Sequence, residues 1–97
     1  MRTRGFEVVT LYERSGVHLP ERKTGASTGY DFAAAESVEI APGEGKLVPT
    51  GVKAYMQENE VLLVYIRSSA AFKKHLMLMN GVGVIDADYY GNAENEG

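Results

Sequence analysis

The sequence has no cysteine and only two histidines, His18 and His75, set far apart. The first absence excludes a disulfide framework and a thiolate metal site, and it suits a reducing compartment. The second leaves nothing with the spacing of a zinc site. No apolar run is long enough to span a membrane, and the N-terminus "MRTRGFEVVT" reaches Glu7 directly after Phe6, so it lacks the hydrophobic segment of a secretory signal. These features point to a cytoplasmic protein without a membrane partner. Basic charge is also in short supply. Ten basic residues against thirteen acidic ones leave a net charge of −3, which offers no general attraction to a nucleic-acid backbone.

What is present reads as a single small β domain. A chain of 97 residues has a high surface-to-volume ratio and a modest core, so oligomerisation is a natural source of extra burial. Glycine and proline cut the chain into short pieces. Residues 5–12, "GFEVVTLY", predict a strand, followed by the long polar connection "SGVHLPERKTGASTG" and an extended run, "YDFAAAESVEI". Pro42 and Gly43 centre a tight turn, and "PTG" in "KLVPTGVKAYM" predicts an edge strand or a bulge. The run "EVLLVYI" predicts a buried strand. Only "SSAAFKKH" has helical character, with Ser68 or Ser69 as its cap and an end near His75. Short strands with turns between them and at most one short helix favour a small sandwich, jelly roll or related barrel.

Three stretches carry candidate chemistry. In "NGVGVIDADYYG", the glycines have no use in a plain strand, which they weaken unless a bulge or a close approach requires them. On a straight strand Asp86 and Tyr89 project to opposite faces. Gly81 and Gly83 permit a hairpin or bulge that gathers Asn80, Asp86 and Tyr89 around one pocket, and a hairpin ending in solvated acids is the equally weighted alternative. In "RSSAAF", Arg67, Ser68 and Ser69 combine a guanidinium fork, two hydroxyls and the start of a helix, a set that suits an anion or an ordinary capped helix. In "ASTGYDFAAA", Asp31 interrupts an apolar run, either as an edge residue or as part of a Mg²⁺ site completed by water and phosphate.

In order and spacing, "GASTGYDFAAA", "RSSAAF" and "NGVGVIDADYYG" resemble the first three of the five motifs of the trimeric deoxyuridine triphosphate nucleotidohydrolases, the dUTPases. The third is the specific one, and the resemblance covers almost the whole chain. It implies an all-β fold, the distorted jelly roll or β-clip, assembled as a homotrimer with active sites shared between subunits. It implies cleavage of dUTP to dUMP and pyrophosphate with Mg²⁺. Asp86 would orient and activate the attacking water, and Asp31 would reach the metal through water. Arg67, Ser68 and Ser69 would bind phosphate oxygens. Main-chain groups around Gly83 and Val84 would read the uracil edge with Asn80 assisting, and the Tyr89 ring would pack under the deoxyribose.

The chain departs from the family pattern in two places. It stops at "YYGNAENEG", before the strand and glycine-rich tail of the fourth and fifth motifs, which implies a single domain over 1–97 without its C-terminal strands and tail. The polar "NAENEG" is itself a loop insertion where many relatives continue into a strand. His75 stands where relatives often carry glycine; a left-handed backbone there costs a side chain roughly 1 kcal/mol. The nearest rival reading is a dCTP deaminase of the same fold, against which Asp86 and the following Asp88-Tyr89 weigh. A non-catalytic nucleotide-binding or interaction module is the rival from another class.

Overall fold

Two antiparallel strand pairs organise residues 2–97, the part of the chain that the computed structural model describes. Strand β1 (Gly5–Val8) pairs with β2 (Val52–Tyr55), and β3 (Val61–Val64) pairs with β4 (Gly83–Asp86). One helix, α1 (Ser68–Lys73), lies between β3 and β4, and 3₁₀ turns cover Thr10–Tyr12 and Ala87–Tyr89. The described chain is therefore strand and loop with a single short helix, as its spacing of apolar and turn residues predicts.

The expected strand over 5–12 is cut short at Val8. The Val9 N–H still bonds across to the Gly51 carbonyl at 2.8 Å, but Tyr12 N–H then returns to the Val9 carbonyl at 2.8 Å and Glu13 N–H to Thr10 at 3.2 Å. Local bonding replaces the ladder. Gly51 has left-handed backbone at φ 71°, and a Cβ there would lie 3.0 Å from the Tyr12 ring, so glycine is needed both for the conformation and for the close approach. This explains the glycine of "PTG" at the start of an edge strand.

The extended run over 30–40 forms no regular ladder. Asp31 makes an isolated bridge with Glu21, and Ala35 N–H bonds to the Pro49 carbonyl at 2.8 Å. Proline has no N–H to return, so pairing does not propagate from there. The turn at Pro42-Gly43 forms as predicted, with Glu44 N–H bonded to Ala41 at 2.9 Å and Gly43 at φ 77°.

Strand β3 is not buried on both faces. Leu62 and Val64 are half-covered, while Val61 and Leu63 are exposed. No apolar side chain among the described residues is fully buried. Leu47 is 100% exposed and Met79 87%, and the radius of gyration is 14.2 Å against about 12.5 Å expected for a compact chain of this length. The best-packed apolar group is aromatic: Phe6 meets Tyr30 at 5.5 Å and Phe32 edge-on at 5.2 Å.

Helix α1 is capped differently from expectation. Arg67, extended at φ −73° and ψ 150°, is the cap residue without a side-chain capping bond, and Ser68 is the first helical residue. His75 ends the helix in left-handed backbone at φ 56°, while Leu76 N–H bonds to the Ala70 carbonyl at 3.1 Å.

Candidate active site

The first two motif stretches meet. Asp31, held by its N–H bond to the Glu21 carbonyl at 2.9 Å, places Oδ1 3.7 Å from Nε of Arg67. Both side chains are solvent-facing, and Ser68 and Ser69 follow Arg67 as exposed residues opening α1. A carboxylate, a guanidinium and two hydroxyls thus lie at one place on the surface.

The third stretch begins in a tight turn. Gly81 N–H bonds to the Leu78 carbonyl at 3.0 Å with Gly81 at φ 77°, and Val82 N–H bonds to Asn80 at 2.9 Å, leaving Asn80 exposed at the tip. The chain then enters β4, in register Gly83↔Val64, Val84↔Leu63, Ile85↔Leu62 and Asp86↔Val61. Gly83 belongs to a regular ladder, with no bulge. A Cβ on it would come within 3.2 Å of the Val64 Cβ, so the close approach that demands this glycine is to the neighbouring strand.

Alternation along the ladder puts Val84 and Asp86 on one exposed face with Val61 and Leu63. Asp86 is the acid at the edge of an apolar surface, and among the described residues it forms no ion pair. Three residue steps, about 10 Å, separate it along β4 from the Gly83 end, beside which β3 ends at Val64, three residues before Arg67. Asp86, extended at φ −72° and ψ 154°, is the N-cap of the 3₁₀ turn Ala87–Tyr89, so β4 runs from this carboxylate directly into the turn that carries Tyr89.

A polar network absent from the sequence reading ties this turn to the first sheet. The Tyr90 hydroxyl donates to Glu7 Oε1 at 2.5 Å, and Arg2 pairs with the same carboxylate. Tyr90 and Arg2 hold the Glu7 carboxyl below its ordinary range. Lys53, opposite Glu7 in the β1–β2 ladder and only 15% exposed, donates to Glu96 Oε1 at 2.8 Å. Glu96 also accepts from the Thr10 N–H at 3.2 Å and hydroxyl at 3.0 Å. Lys53, then Thr10, lower the Glu96 carboxyl, and Glu96 raises Lys53 in turn. The one sequence signal for this network is the polar insertion "NAENEG". Two surface hollows, lined from residues 34–48 together with Lys74 and Leu76, contain none of the candidate residues. No three Asp, Glu or His side chains converge as a metal cage among the described residues.

With this geometry in place, similarity to known proteins identifies the family. The family model described as dUTPase matches residues 15–94, most of the chain. The chain belongs to the dUTPase family. A deoxyuridine 5'-triphosphate nucleotidohydrolase of Lactococcus lactis is 61% identical over the whole chain, which covers 65% of that protein, and one of Chlamydia felis is 42% identical over 79% of the chain, covering 54% of its own length. The crystal structure of dUTPase from Streptococcus mutans superposes with a TM-score of 0.89 at 55% identity, over 96% of this chain and 72% of that one. The all-β, jelly-roll-like dUTPase fold expected from the motifs is thereby established. The chain spans about half to two thirds of the length of these nucleotidohydrolases.

Proposed function

We propose that the protein hydrolyses dUTP to dUMP and pyrophosphate. The observation that carries this reading is the run from Asp86, on the exposed apolar face of β3–β4, directly into the 3₁₀ turn that ends in Tyr89, in a chain of the dUTPase family. Asp86 accepts a hydrogen bond from water and holds it in line with the α-phosphorus. Its contribution is mainly positional, because fixing the place and direction of the water removes freedom the reaction would otherwise have to lose. The water oxygen bonds to the α-phosphorus as its proton passes through Asp86 to solvent, while the bond from the α-phosphorus to the oxygen bridging α and β breaks and that oxygen leaves with pyrophosphate. Arg67 offers its fork, and Ser68 and Ser69 their hydroxyls, to the phosphate oxygens.

Main-chain groups of Gly83 and Val84, with the Asn80 side chain, read the uracil edge. Cytosine presents a donor where uracil has an acceptor, leaving polar groups unpaired. Tyr89 packs under the deoxyribose and leaves no room for a 2′-hydroxyl. The single exposed carboxylate of Asp31 fits a Mg²⁺ ion that arrives on the triphosphate and keeps its waters, and does not fit an all-protein cage. Asp31 would hold it through water, and the ion would neutralise phosphate charge. Arg67 lies beside that carboxylate, with Nε 3.7 Å from Oδ1, and its guanidinium would be within reach of a phosphate held there.

A homotrimer with shared sites, working in the cytoplasm, completes the reading. Its support is the uncovered apolar surface of the single chain and the separation of Asp86 from the Arg67 end of the ladder. No helix among the described residues is long and apolar enough to cross a membrane. Incubation of the native protein with Mg²⁺ and either dUTP or dCTP tests the activity. Pyrophosphate from dUTP is expected; ammonia from dCTP would identify a deaminase, and no product from either would identify a non-catalytic module. Sedimentation equilibrium should give three times the chain mass.

A further inference from the structure

We propose that Asn95 is a positioning residue for Tyr89, and that the insertion carrying it is a clamp that sets the sugar selectivity of the site. This inference rests on the dUTP reading above. Asn95 Nδ2 donates to the Tyr89 hydroxyl at 2.8 Å, the one side-chain bond made by that hydroxyl among the described residues. Tyr89 is 41% exposed, so packing alone does not fix its ring, and a bond at the far end of the side chain removes the freedom that remains.

The insertion is built to deliver that bond. Asn92 Nδ2 donates to the Tyr89 carbonyl at 2.7 Å while its Oδ1 accepts from the Asn95 N–H at 3.0 Å, so one side chain spans the backbone of both members of the pair. Gly91 N–H to the Glu96 carbonyl at 2.6 Å and Glu96 N–H to the Asn92 carbonyl at 3.1 Å close the loop on itself. Glu96 then fastens it to Lys53 of β2 and to Thr10, at the start of the 3₁₀ turn after β1. Glu96 sits in left-handed backbone at φ 73°, a conformation that a non-glycine residue keeps where its surroundings over-determine it. Tyr90 reinforces the arrangement from the opposite side through Glu7. The result is a tyrosine held from its carbonyl and its hydroxyl by one polar loop anchored elsewhere.

A ring so held excludes a 2′-hydroxyl by position. A ring free to tilt would admit it, so loss of Asn95 should raise UTP use more than it lowers dUTP use. In the native protein, Asn95→Ala should reduce the ratio of kcat/KM for dUTP to that for UTP by about threefold to tenfold, the range expected for one hydrogen bond. The same change made in a Tyr89→Phe background should have no further effect on the ratio, because the bonded hydroxyl is already gone. Loss of the loop's general stability would instead shift both backgrounds equally, and the thermal midpoint measured alongside separates that outcome. Unchanged selectivity in Asn95→Ala, or equal losses in both backgrounds, would overturn the role of Asn95 while dUTP hydrolysis stands. Absence of dUTP turnover in the unmutated protein would overturn the hydrolase reading and this one with it.

Discussion

Asp31 and Arg67 come from different motifs and meet with Oδ1 and Nε 3.7 Å apart on an exposed surface. Solvent-exposed ion pairs contribute only ~0–1 kcal/mol to folding, so this one is not a structural necessity. Under the proposed function, the guanidinium serves phosphate and the carboxylate serves the counter-ion. Arg67→Lys should keep the charge but lose the fork and the paired geometry. We expect turnover of dUTP to fall about a hundredfold, as for loss of one preorganised donor, with the thermal midpoint nearly unchanged. Steady-state kinetics beside calorimetry checks this; a large drop in midpoint would show that the pair holds the fold.

Asp86→Asn keeps size and removes charge. Turnover should fall by about two orders of magnitude or more, the cost of a misplaced reactant, while nucleotide affinity measured by titration calorimetry with a non-hydrolysable dUTP analogue changes little. Near-normal turnover would exclude Asp86 as the water-holding residue.

Gly51→Ala combines a left-handed backbone with a Cβ contact of 3.0 Å to Tyr12 and 3.1 Å to Val17. Both terms oppose the substitution, and the expected destabilisation is about 2–4 kcal/mol. Denaturant titration should show an earlier midpoint. An unchanged midpoint would mean that the junction between β1 and β2 tolerates a rearranged backbone.

His75→Gly should act in the opposite sense. The left-handed backbone at φ 56° costs a side chain strain that glycine does not suffer, and the net gain is about 0.5–1 kcal/mol after the greater freedom of glycine in the unfolded chain is counted. Thermal unfolding should move upward with dUTP turnover unaffected, since His75 lies at the far end of α1 from Arg67.

The acid side of the stability profile should be set by Glu7, Glu60 and Glu96. All three are held below the ordinary value of 4.5: Glu7 chiefly by Tyr90 and Arg2, Glu60 by the Gln57 N–H and Arg4, and Glu96 by Lys53 and Thr10. A carboxyl lowered by folding adds stability that is complete above its unfolded value and disappears as pH falls through the folded one. The thermal midpoint should therefore fall with acidification below about pH 4.5, and Glu96→Gln should flatten part of that slope. Lys53 is raised above 10.5, so its contribution holds below that pH and is lost above it. An identical acid slope in Glu96→Gln would show that the clamp does not stabilise the folded state.

Features that depend only on neighbours along the chain were legible from the residues alone. Pro42-Gly43 makes its turn because one residue presets φ and the next tolerates φ above zero. Helix α1 forms within the one stretch of helical character, although Arg67 and not a serine precedes it and it ends at Lys73, two residues before the left-handed His75. The three motif stretches are also local signals, sufficient to place the chain in its family.

Tertiary structure decided which distant groups meet. The run "VLLVYI" cannot state how many of its faces are covered, because burial belongs to whatever packs against a strand, and one face of β3 stays open. The close approach that demands glycine at 83 is to Val64 across the ladder, a fact of register. Asp86 caps the 3₁₀ turn that carries Tyr89 because the β3–β4 ladder ends at that residue, and where a ladder ends depends on the partner strand. The bonds of Asn95 to Tyr89 and of Glu96 to Thr10 and Lys53 were the least legible of all. Asparagine and glutamate in a polar loop are compatible with solvent or with any donor or acceptor in reach, and only the return of that loop across the first sheet selects their partners.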